Sequence, residues 1–239
     1  MKLSVIIPTL NEETLIEKNL SLLKAQLQEL KIHNNYYTSE IVVADGGSKD
    51  RTSEIARRFT NKICISPKGR GVQMNAGAGI SEGDYLLFLH ADSILSLSGI
   101  QGIFEIIKEN NIAGGAFRLK IDSKRVLFKI ISSTANMRSK MYGLAYGDQG
   151  IFAKRDIFYK VGGYPDIPLM EDVNLVLRLK KIGKFIILPE YIMTSSRRWD
   201  NEGILYTTIR NWILISLYLS GVSPYTLKNW YKENGENVF

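Results

Sequence analysis

Short apolar blocks, each closed by a polar or glycine-rich turn, alternate with helix-like segments in the amino-terminal part of the chain. After the first block, apolar residues recur four or three positions apart, which places them on one face of a helix. The apolar blocks predict strands over residues 3–7, 40–45, 62–66 and 85–89. Strands that alternate with helices in this way predict an α/β fold with a doubly wound, mostly parallel sheet flanked by helices.

The block at 85–89 ends in a pair of side chains that can bind a metal. Its apolar residues run unbroken, as in a strand buried on both faces of a parallel sheet. His90 and Asp92 follow directly, and open α/β sheets bind ligands at the carboxyl ends of their strands. The alternative is a polar turn in which Asp92 caps the next helix. The spacing alone leaves both interpretations open.

The second half of the chain has a less regular pattern. It predicts helices over 97–110, 124–141 and 170–182, and strands over 114–121, 151–153 and 185–188. No repeat or long linker interrupts it, so we expect one domain over residues 1–200. Within this domain, residues 1–95 form a nucleotide-binding half and residues 96–200 an acceptor-side half. Residues 201–239 form a C-terminal helical segment.

The stretch 204–222 is strongly apolar but carries Arg210 and Asn211 near its middle. A membrane-spanning helix needs about 20 mostly apolar residues, so this stretch is marginal and its arginine is costly. Three alternatives stay open. The helix packs against its own domain or a second subunit as a homodimer, it lies in a membrane interface anchored by Trp212, Tyr218 and Trp230, or it spans the membrane.

The overall composition favours an anionic partner and a reducing compartment. Lys and Arg exceed Asp and Glu by 31 − 24 = 7 in 239 residues, but no dense basic block is present, so we expect no nucleic-acid partner. Cys64 is the only cysteine, which rules out an internal disulfide. Pro8 interrupts the first apolar run too early for a signal peptide. We therefore expect a cytoplasmic protein, with a peripheral position at the inner face of the membrane as the alternative.

Four clusters of polar side chains fall at predicted loops. They are Asn11 with Glu12, Asp45 with Ser48, His90 with Asp92, and Glu171 with Asp172. The first three follow parallel strands and therefore converge on one edge of the sheet. There Asp45 can accept a hydrogen bond from a base or ribose, and Arg70 suits a phosphate or base edge. A metal at Asp92 would bridge a diphosphate and stabilise it as a leaving group.

Two common nucleotide-binding motifs are absent from the sequence. No Gly-x-x-x-x-Gly-Lys-Ser/Thr motif occurs, which excludes a P-loop. The first strand is followed by PTLN at 8–11 and not by Gly-x-Gly-x-x-Gly, which disfavours a dinucleotide fold. The same segment lacks the glycine-rich, arginine-containing loop that a nucleotidyltransferase would need.

Several motifs in order resemble family 2 glycosyltransferases of the GT-A fold. They are SVIIPTLNE at 4–12, VADGGSKD at 43–50, GDYLLFLHAD at 83–92 and MED at 170–172. The resemblance covers roughly residues 1–200. Within the family, GDQG at 147–150 and GGYP at 162–165 are similar to the bacterial transferases labelled radical-SAM/selenodomain-associated.

The resemblance implies a role for each matching position. The nucleotide-sugar-binding positions are Pro8, Thr9, Asn11, Glu12, Asp45, Ser48, Arg70 and Asp92. His90 and Asp92 occupy the motif that holds Mn²⁺ or Mg²⁺ on the diphosphate. Asp172 matches the general base that deprotonates the acceptor, with Glu171 beside it. The acceptor-side positions are Asp148, Gln149, Arg198 and Trp199.

Three positions depart from the family pattern. His90 replaces the first Asp of the metal motif, and imidazole suits Mn²⁺ better than Mg²⁺. Gly46 replaces the second Asp of the usual Asp-Asp-Gly-Ser. Arg198 and Trp199 resemble the end of the Gln-x-x-Arg-Trp motif of processive synthases, but Ser195 stands where Gln would be. The alternative for Arg198 and Trp199 is a surface cation–π pair.

These features predict a metal-dependent, inverting transferase. It moves a sugar from a nucleotide-diphosphate sugar, a UDP- or GDP-sugar, to an unidentified acceptor that is a saccharide, a lipid or a small molecule. Two alternatives stay open: a catalytically inactive GT-A-like binding or scaffold protein, and a nucleotidyltransferase.

Overall fold

The computed structural model describes residues 1–33, 36–109 and 111–231, and in this part of the chain eight strands form one sheet with helices on both faces. The strands are β1 (Lys2–Thr9), β2 (Thr38–Asp45), β3 (Ile63–Ile65), β4 (Tyr85–Phe88), β5 (Ser93–Leu95), β6 (Ile112–Asp122), β7 (Ile151–Lys154) and β8 (Lys184–Ser195). The helices are α1 (Glu13–His33), α2 (Thr52–Ala56), α3 (Arg70–Ile80), α4 (Leu97–Ile106), α5 (Val126–Tyr142), α6 (Arg155–Lys160), α7 (Glu171–Ile182), α8 (Arg197–Glu202), α9 (Ile204–Leu219) and α10 (Pro224–Trp230), with a 3-10 turn at Gly147–Gln149. Residues 232–239 of the predicted C-terminal segment lie outside the described residues.

The strand order is β3-β2-β1-β4-β7-β6-β8-β5. The pairs β3/β2, β2/β1 and β1/β4 are parallel, whereas β4 pairs with β7 in the antiparallel direction. The strand before His90 is therefore central, as predicted, and it lies where the sheet changes from parallel to antiparallel pairing. The predicted mixed α/β sheet is confirmed.

The side chains of β1 alternate between two cores on opposite faces of the sheet. Leu3, Val5 and Ile7 belong to the core that also contains residues of α1, α4 and α5. Ile6 belongs to the core that contains residues of α3, α6 and α7. Successive side chains of a strand point to opposite faces, so an unbroken apolar run needs cover on both.

Several predicted boundaries differ from the structure. The helix after β2 is short, and its N-cap residue is Arg51, whose side chain makes no capping hydrogen bond. Ser48 accepts the backbone N–H of Asn11, and Asp50 Oδ1 accepts the N–H of Thr52. The short elements β5, α6, α8 and α10 were not predicted, because they have too few residues to show a periodicity.

Helix α3 packs very close to the sheet through its small residues. A Cβ placed on Gly77 would lie 2.5 Å from the Ile6 side chain and 3.5 Å from that of Ala44. The Ala- and Gly-rich composition predicted such close packing. The helix begins at Arg70, which was expected in a loop.

We predict that Gly77→Ala lowers the free energy of unfolding by about 1–3 kcal/mol, because the new methyl group overlaps the Ile6 side chain. Gly79 on the same helix is the matched control, since a Cβ there would meet nothing within 4 Å. Gly79→Ala should raise stability by up to about 1 kcal/mol through helix propensity. Urea unfolding of both variants is the measurement, and equal midpoints would contradict the packing argument.

Candidate active site

A large cavity opens at the carboxyl edge of the central strands. Its volume is about 1010 Å³, which is large enough for a nucleotide sugar and part of a second substrate. The predicted site residues that line it are Pro8, Thr9, Asn11, Glu12, Arg70, His90, Asp92, Asp148, Asp172, Arg198 and Trp199. Asp45, Ser48, Gln149 and Glu171 do not line it. The structure thus brings together residues from three strand ends and from the start of α7.

The loops after β1 and β2 hold each other by hydrogen bonds. Ser48 Oγ accepts the N–H of Asn11, and the side-chain oxygen of Asn11 accepts the N–H of Lys49, both at 2.9 Å. Thr52 Oγ1 accepts the N–H of Glu12 at 2.7 Å. These contacts satisfy loop backbone groups that strand pairing leaves unpaired. Ser48 therefore does not line the cavity but fixes the position of Asn11, which does.

Asn11 and Met170 are the non-glycine residues with positive φ in the described part of the chain, at 54° and 65°. Asn11 lines the cavity, and Met170 immediately precedes Glu171 and Asp172. Left-handed backbone is uncommon for Met and is found preferentially at functional sites. The strain at Met170 aims the first turn of α7 at the cavity.

Asp45 is 1% exposed and its carboxylate is already used within its own turn. Oδ1 accepts the N–H groups of Gly47 and Ser48 at 2.9 and 2.8 Å, and Oδ2 accepts the hydroxyl of Ser53. The predicted contact of Asp45 with a base or ribose would have to compete with these partners.

His90 and Asp92 occupy the cavity wall at the end of β4. Nε2 of His90 is buried and has no hydrogen-bond partner. Burial, followed by the charges of Arg70 and Arg198, holds the pKa of His90 well below its usual value, so the imidazole is neutral and can donate a lone pair. No group of three or more His, Cys, Asp or Glu side chains capable of holding a metal occurs among the described residues. The pair fits a cation that takes its other ligands from substrate phosphates.

Asp172 lines the cavity, whereas Glu171 is buried beside α3 and does not line it. Asp172 Oδ2 accepts the N–H of Gly147 at 2.6 Å, and Oδ1 accepts the N–H of Val173 at 2.7 Å. Both oxygens lie at the start of α7, where the helix dipole favours a negative charge. A Cβ on Gly71 of α3 would lie 3.5 Å from the Cβ of Glu171. Asp172 thus presents a carboxylate to the cavity in an orientation fixed by two backbone N–H groups.

Asp148 supplies a second carboxyl group to the same wall. Its Oδ1 is buried and has no hydrogen-bond partner. Burial, opposed by Arg138 and reinforced by Asp172, raises the pKa of Asp148 to about 6. The neighbouring Tyr146 also lines the cavity, and Arg138 lies 3.4 Å from the centre of its ring. The buried hydroxyl of Tyr146 has no partner either.

Gln149 and Trp199 differ from their predicted settings. Gln149 is fully buried and binds Phe117 O and the Ser139 hydroxyl through Nε2, at 2.9 and 3.1 Å. Trp199 is 9% exposed and packs edge-on against Phe128. Arg198 lies over the ring of Tyr231. The alternative of a surface cation–π pair is therefore wrong, because Trp199 belongs to the core.

The chain matches the family described as "Glycosyl transferase family 2" over residues 4–162, which is more than half of its length. The protein belongs to glycosyl transferase family 2. Among curated relatives, it is 29% identical over 226 residues to the "Probable glycosyltransferase YdaM" of Bacillus subtilis (strain 168), covering 84% of this chain and 51% of the relative. It is 31% identical over 203 residues to the "Dolichol-phosphate mannosyltransferase" of Pyrococcus furiosus, covering 81% and 53%.

A solved structure has the same fold at low sequence identity. The "Mannosyltransferase PcManGT from Pyrobaculum calidifontis in complex with GDP-Man and Mn2+" superposes with a TM-score of 0.67 at 16% identity, over 93% of this chain and 66% of that one. The chain spans about half the length of the two curated relatives it matches.

Packing explains why this family 2 member has Gly46 where the family pattern has Asp. A Cβ on Gly46 would lie 3.0 Å from the side-chain carbon of Gln73. Gln73 is 1% exposed, and its Nε2 donates to Thr9 O and Ala44 O at 2.8 and 2.9 Å. The amide therefore joins the ends of β1 and β2 beneath the cavity and occupies the space beside Gly46.

Sequence reasoning missed several residues that line the cavity. These are Leu10, Lys68, Gln73, Ala91, Tyr146, Thr194, Ser195, Arg197, Asn201, Glu202 and Asn211. Arg197 makes a two-pronged ion pair with Glu12, with both N–O distances at 2.9 Å. A buried polar residue such as Gln73 in an Ala- and Gly-rich helix was an available signal. No sequence pattern marks the pairing of Arg197 with Glu12, because it joins the two ends of the domain.

Stability should depend on pH through Glu171. Burial, reinforced by the charge of Asp172, raises the pKa of Glu171 from 4.5 to about 7. The folded protein then holds a proton that the unfolded chain releases, so the contribution of Glu171 to the free energy of unfolding should fall as pH rises through this window. Glu171→Gln should remove this contribution in urea titrations between pH 5 and pH 7. Two other buried groups contribute below about pH 6: Asp148, whose raised pKa acts in the same direction, and His90, whose lowered pKa acts in the opposite direction.

The exposed Glu54→Gln is the matched control and should leave the slope unchanged. An unchanged slope in Glu171→Gln would show that this carboxyl group is ionised in the folded protein.

Proposed function

We propose that the protein is a hexosyltransferase that moves a sugar from a nucleoside-diphosphate sugar to an acceptor with inversion at the anomeric carbon. One observation carries the proposal. A single cavity has the His90 and Asp92 pair on the wall at the end of β4 and the Asp172 carboxylate at the start of α7. These are the positions expected for a diphosphate leaving group and for a base that activates the acceptor.

We propose that the nucleotide lies against the loop after β1 and the start of α3. Pro8, Thr9, Asn11 and Arg70 line that part of the cavity. Thr9 Oγ1 is buried and has no partner, which suits a hydrogen bond to a ligand. Glu12 acts mainly through its ion pair with Arg197. In the similar mannosyltransferase the donor is GDP-Man, which supports a nucleotide-sugar donor here, while the base stays open between uracil and guanine.

His90 and Asp92 would hold Mn²⁺ or Mg²⁺ on the diphosphate. When bound, the cation neutralises charge that develops on the leaving group. Two observations support Mn²⁺: the unpartnered Nε2 of His90, and the Mn²⁺ that accompanies GDP-Man in the similar mannosyltransferase.

Asp172 would take the proton from the acceptor nucleophile. The N–H groups of Gly147 and Val173 fix its orientation. Asp148 and Arg198 line the same wall and would position the acceptor. Trp199 lines the cavity as well, whereas the fully buried Gln149 would support the wall from inside the protein.

The finer assignments are also proposals. GDQG at 147–150 and GGYP at 162–165 support membership of the radical-SAM/selenodomain-associated subgroup. The acceptor is a saccharide, a lipid or a small molecule, and the name of the Pyrococcus furiosus relative favours a lipid. We propose a cytoplasmic location on the basis of the single cysteine. We also propose that residues 1–200 form the catalytic domain and that the following segment serves another contact.

We predict that Asp172→Asn lowers kcat by about 10²–10⁴-fold and leaves donor affinity within about twofold, because the amide cannot accept the proton. Asp156→Asn is the control, because Asp156 is exposed on α6. Turnover is followed as release of nucleoside diphosphate. Unchanged turnover in Asp172→Asn would remove this residue from the base role, and donor binding without turnover in the wild type would favour the scaffold alternative.

We predict that UDP or GDP binds with a metal dependence that Asp92→Ala abolishes. The measurement is calorimetric titration of the wild type with each nucleotide, with and without Mn²⁺. We expect binding heat for one of the two nucleotides, with a dissociation constant at least about tenfold lower when Mn²⁺ is present. Asp84→Ala is the control, since Asp84 lies at the opposite end of β4. Heat for neither nucleotide in a folded sample would contradict the transferase proposal.

A further inference from the structure

Helix α9 buries its charged residue and exposes most of its large apolar residues. Its charged residue, Arg210, is buried and contacts the carboxylate of Glu202 at 2.5 Å, with both side chains 7% exposed. Its large apolar residues point outward and are about half or more exposed: Leu205, Tyr206, Ile209, Trp212, Ile213 and Leu219. A surface helix of a globular protein normally has the opposite arrangement. An outward apolar face of this size marks a surface that is covered by a partner.

A narrow apolar groove lies beside this face. It has a volume of about 270 Å³ and is lined by Tyr206, Ile209, Arg210, Ile213, Leu214 and Trp230. On α10, Tyr225 and Trp230 are also exposed. Aromatic rings with a polar atom at one end are favoured at the boundary between water and lipid. The groove and these rings extend the apolar surface from α9 to α10.

Helix α5 adds a second apolar surface next to the first. Val126, Leu127, Ile130, Met137, Met141 and Tyr142 are exposed on it. Phe128 of α5 packs against Trp199, and Arg125 before α5 pairs with Asp200 at 2.7 Å, so the start of α5 adjoins α8. Leu144, which follows the end of α5, packs in a cluster with Ile215 of α9. We call the exposed side chains of α5, α9 and α10 the apolar-basic face.

The apolar-basic face carries positive charge only. Helices α5, α9 and α10 contain no Asp or Glu. Lys129, Lys140 and Lys228 are exposed on these helices. The two acidic residues of α8 that border the face, Asp200 and Glu202, are each paired with an arginine. A partner for this face therefore offers apolar surface together with negative charge.

A second copy of the chain does not meet that requirement. In a two-fold symmetric contact the same patch faces itself, so the lysines of one copy would approach those of the other. An anionic lipid surface offers headgroup charge at the rim and hydrocarbon beneath it. None of the described helices is long and apolar enough to cross a membrane.

We propose that the apolar-basic face docks the protein on an anionic membrane surface. The proposal deepens and rests on the proposed function, because Asn211 of α9 and Glu202 of the adjoining α8 both belong to the cavity wall. Docking therefore places the acceptor side of the cavity at the lipid headgroups, where a lipid acceptor is available without leaving the membrane.

The test is co-sedimentation of the full chain with vesicles. We use phosphatidylcholine alone and phosphatidylcholine with about 30% phosphatidylglycerol, since anionic headgroups attract basic segments. The wild type should bind the anionic vesicles, and added salt should weaken the binding. Trp212→Glu and Ile209→Glu should each lower the partition coefficient by about tenfold or more, because they place a carboxylate in the face. Ile32→Glu on α1 is the matched control, because Ile32 is 80% exposed there.

Equal binding by Trp212→Glu, Ile209→Glu and the wild type would overturn the proposal, as would no binding of the wild type to either vesicle. A concentration-dependent dimer in light scattering that Trp212→Glu abolishes would assign the face to a second copy instead. Calorimetric titration of the same proteins with the donor nucleotide distinguishes failure of the docking proposal from failure of the proposed function. Variants that bind the donor but not the vesicles have lost only the docking face. If the wild type and every variant fail to bind the donor, the proposed function is wrong.

Discussion

The pairing of β1 on both of its edges is the constraint on which the rest of this structure depends. Its backbone is hydrogen-bonded to β2 on one side and to β4 on the other, and its side chains enter two separate cores. A strand held in this way cannot shift register without exposing apolar side chains and unpairing backbone groups. The loop that follows it therefore has one position, and that loop forms the floor of the cavity.

Polar contacts over long sequence distances then close the cavity. Gln73 joins the ends of β1 and β2, the N–H of Gly147 orients Asp172, and the Glu12–Arg197 pair links the first loop to the segment after β8. The ion pair is partly exposed, so its contribution to stability is small, in the range of about 0–1 kcal/mol. Its main effect is geometric, because it keeps Glu12 and Arg197 on facing walls.

The nearness of the cavity to the apolar-basic face gives the C-terminal helices a role beyond packing. Helices α8 and α9 present polar side chains to the cavity, and α9 also exposes apolar side chains on its outer side. The Arg210–Glu202 pair lies between the two surfaces and is almost completely buried. Removing one partner would leave a buried charge uncompensated, so the pair holds the two helices in one relative position. The same short segment therefore contributes both to the cavity wall and to the exposed apolar surface.

The sequence by itself determined the alternation of strands and helices in the nucleotide half, the central position of the strand before His90, and the convergence of the first three polar clusters on one edge of the sheet. The place of Asp172 in the same site came from the resemblance to the family. Local apolar periodicity and motif order carry this information, because parallel strands bring their carboxyl ends to one edge. Only the tertiary structure decided which polar residues face the cavity. Asp45 and Gln149 satisfy their hydrogen bonds inside the protein, and Glu171 is buried outside the cavity lining while its neighbour Asp172 lines it. It also decided that α9 buries its arginine and exposes its apolar side chains. These outcomes depend on distant partners such as Ser53, Phe117 and Glu202, and no local pattern records such pairings.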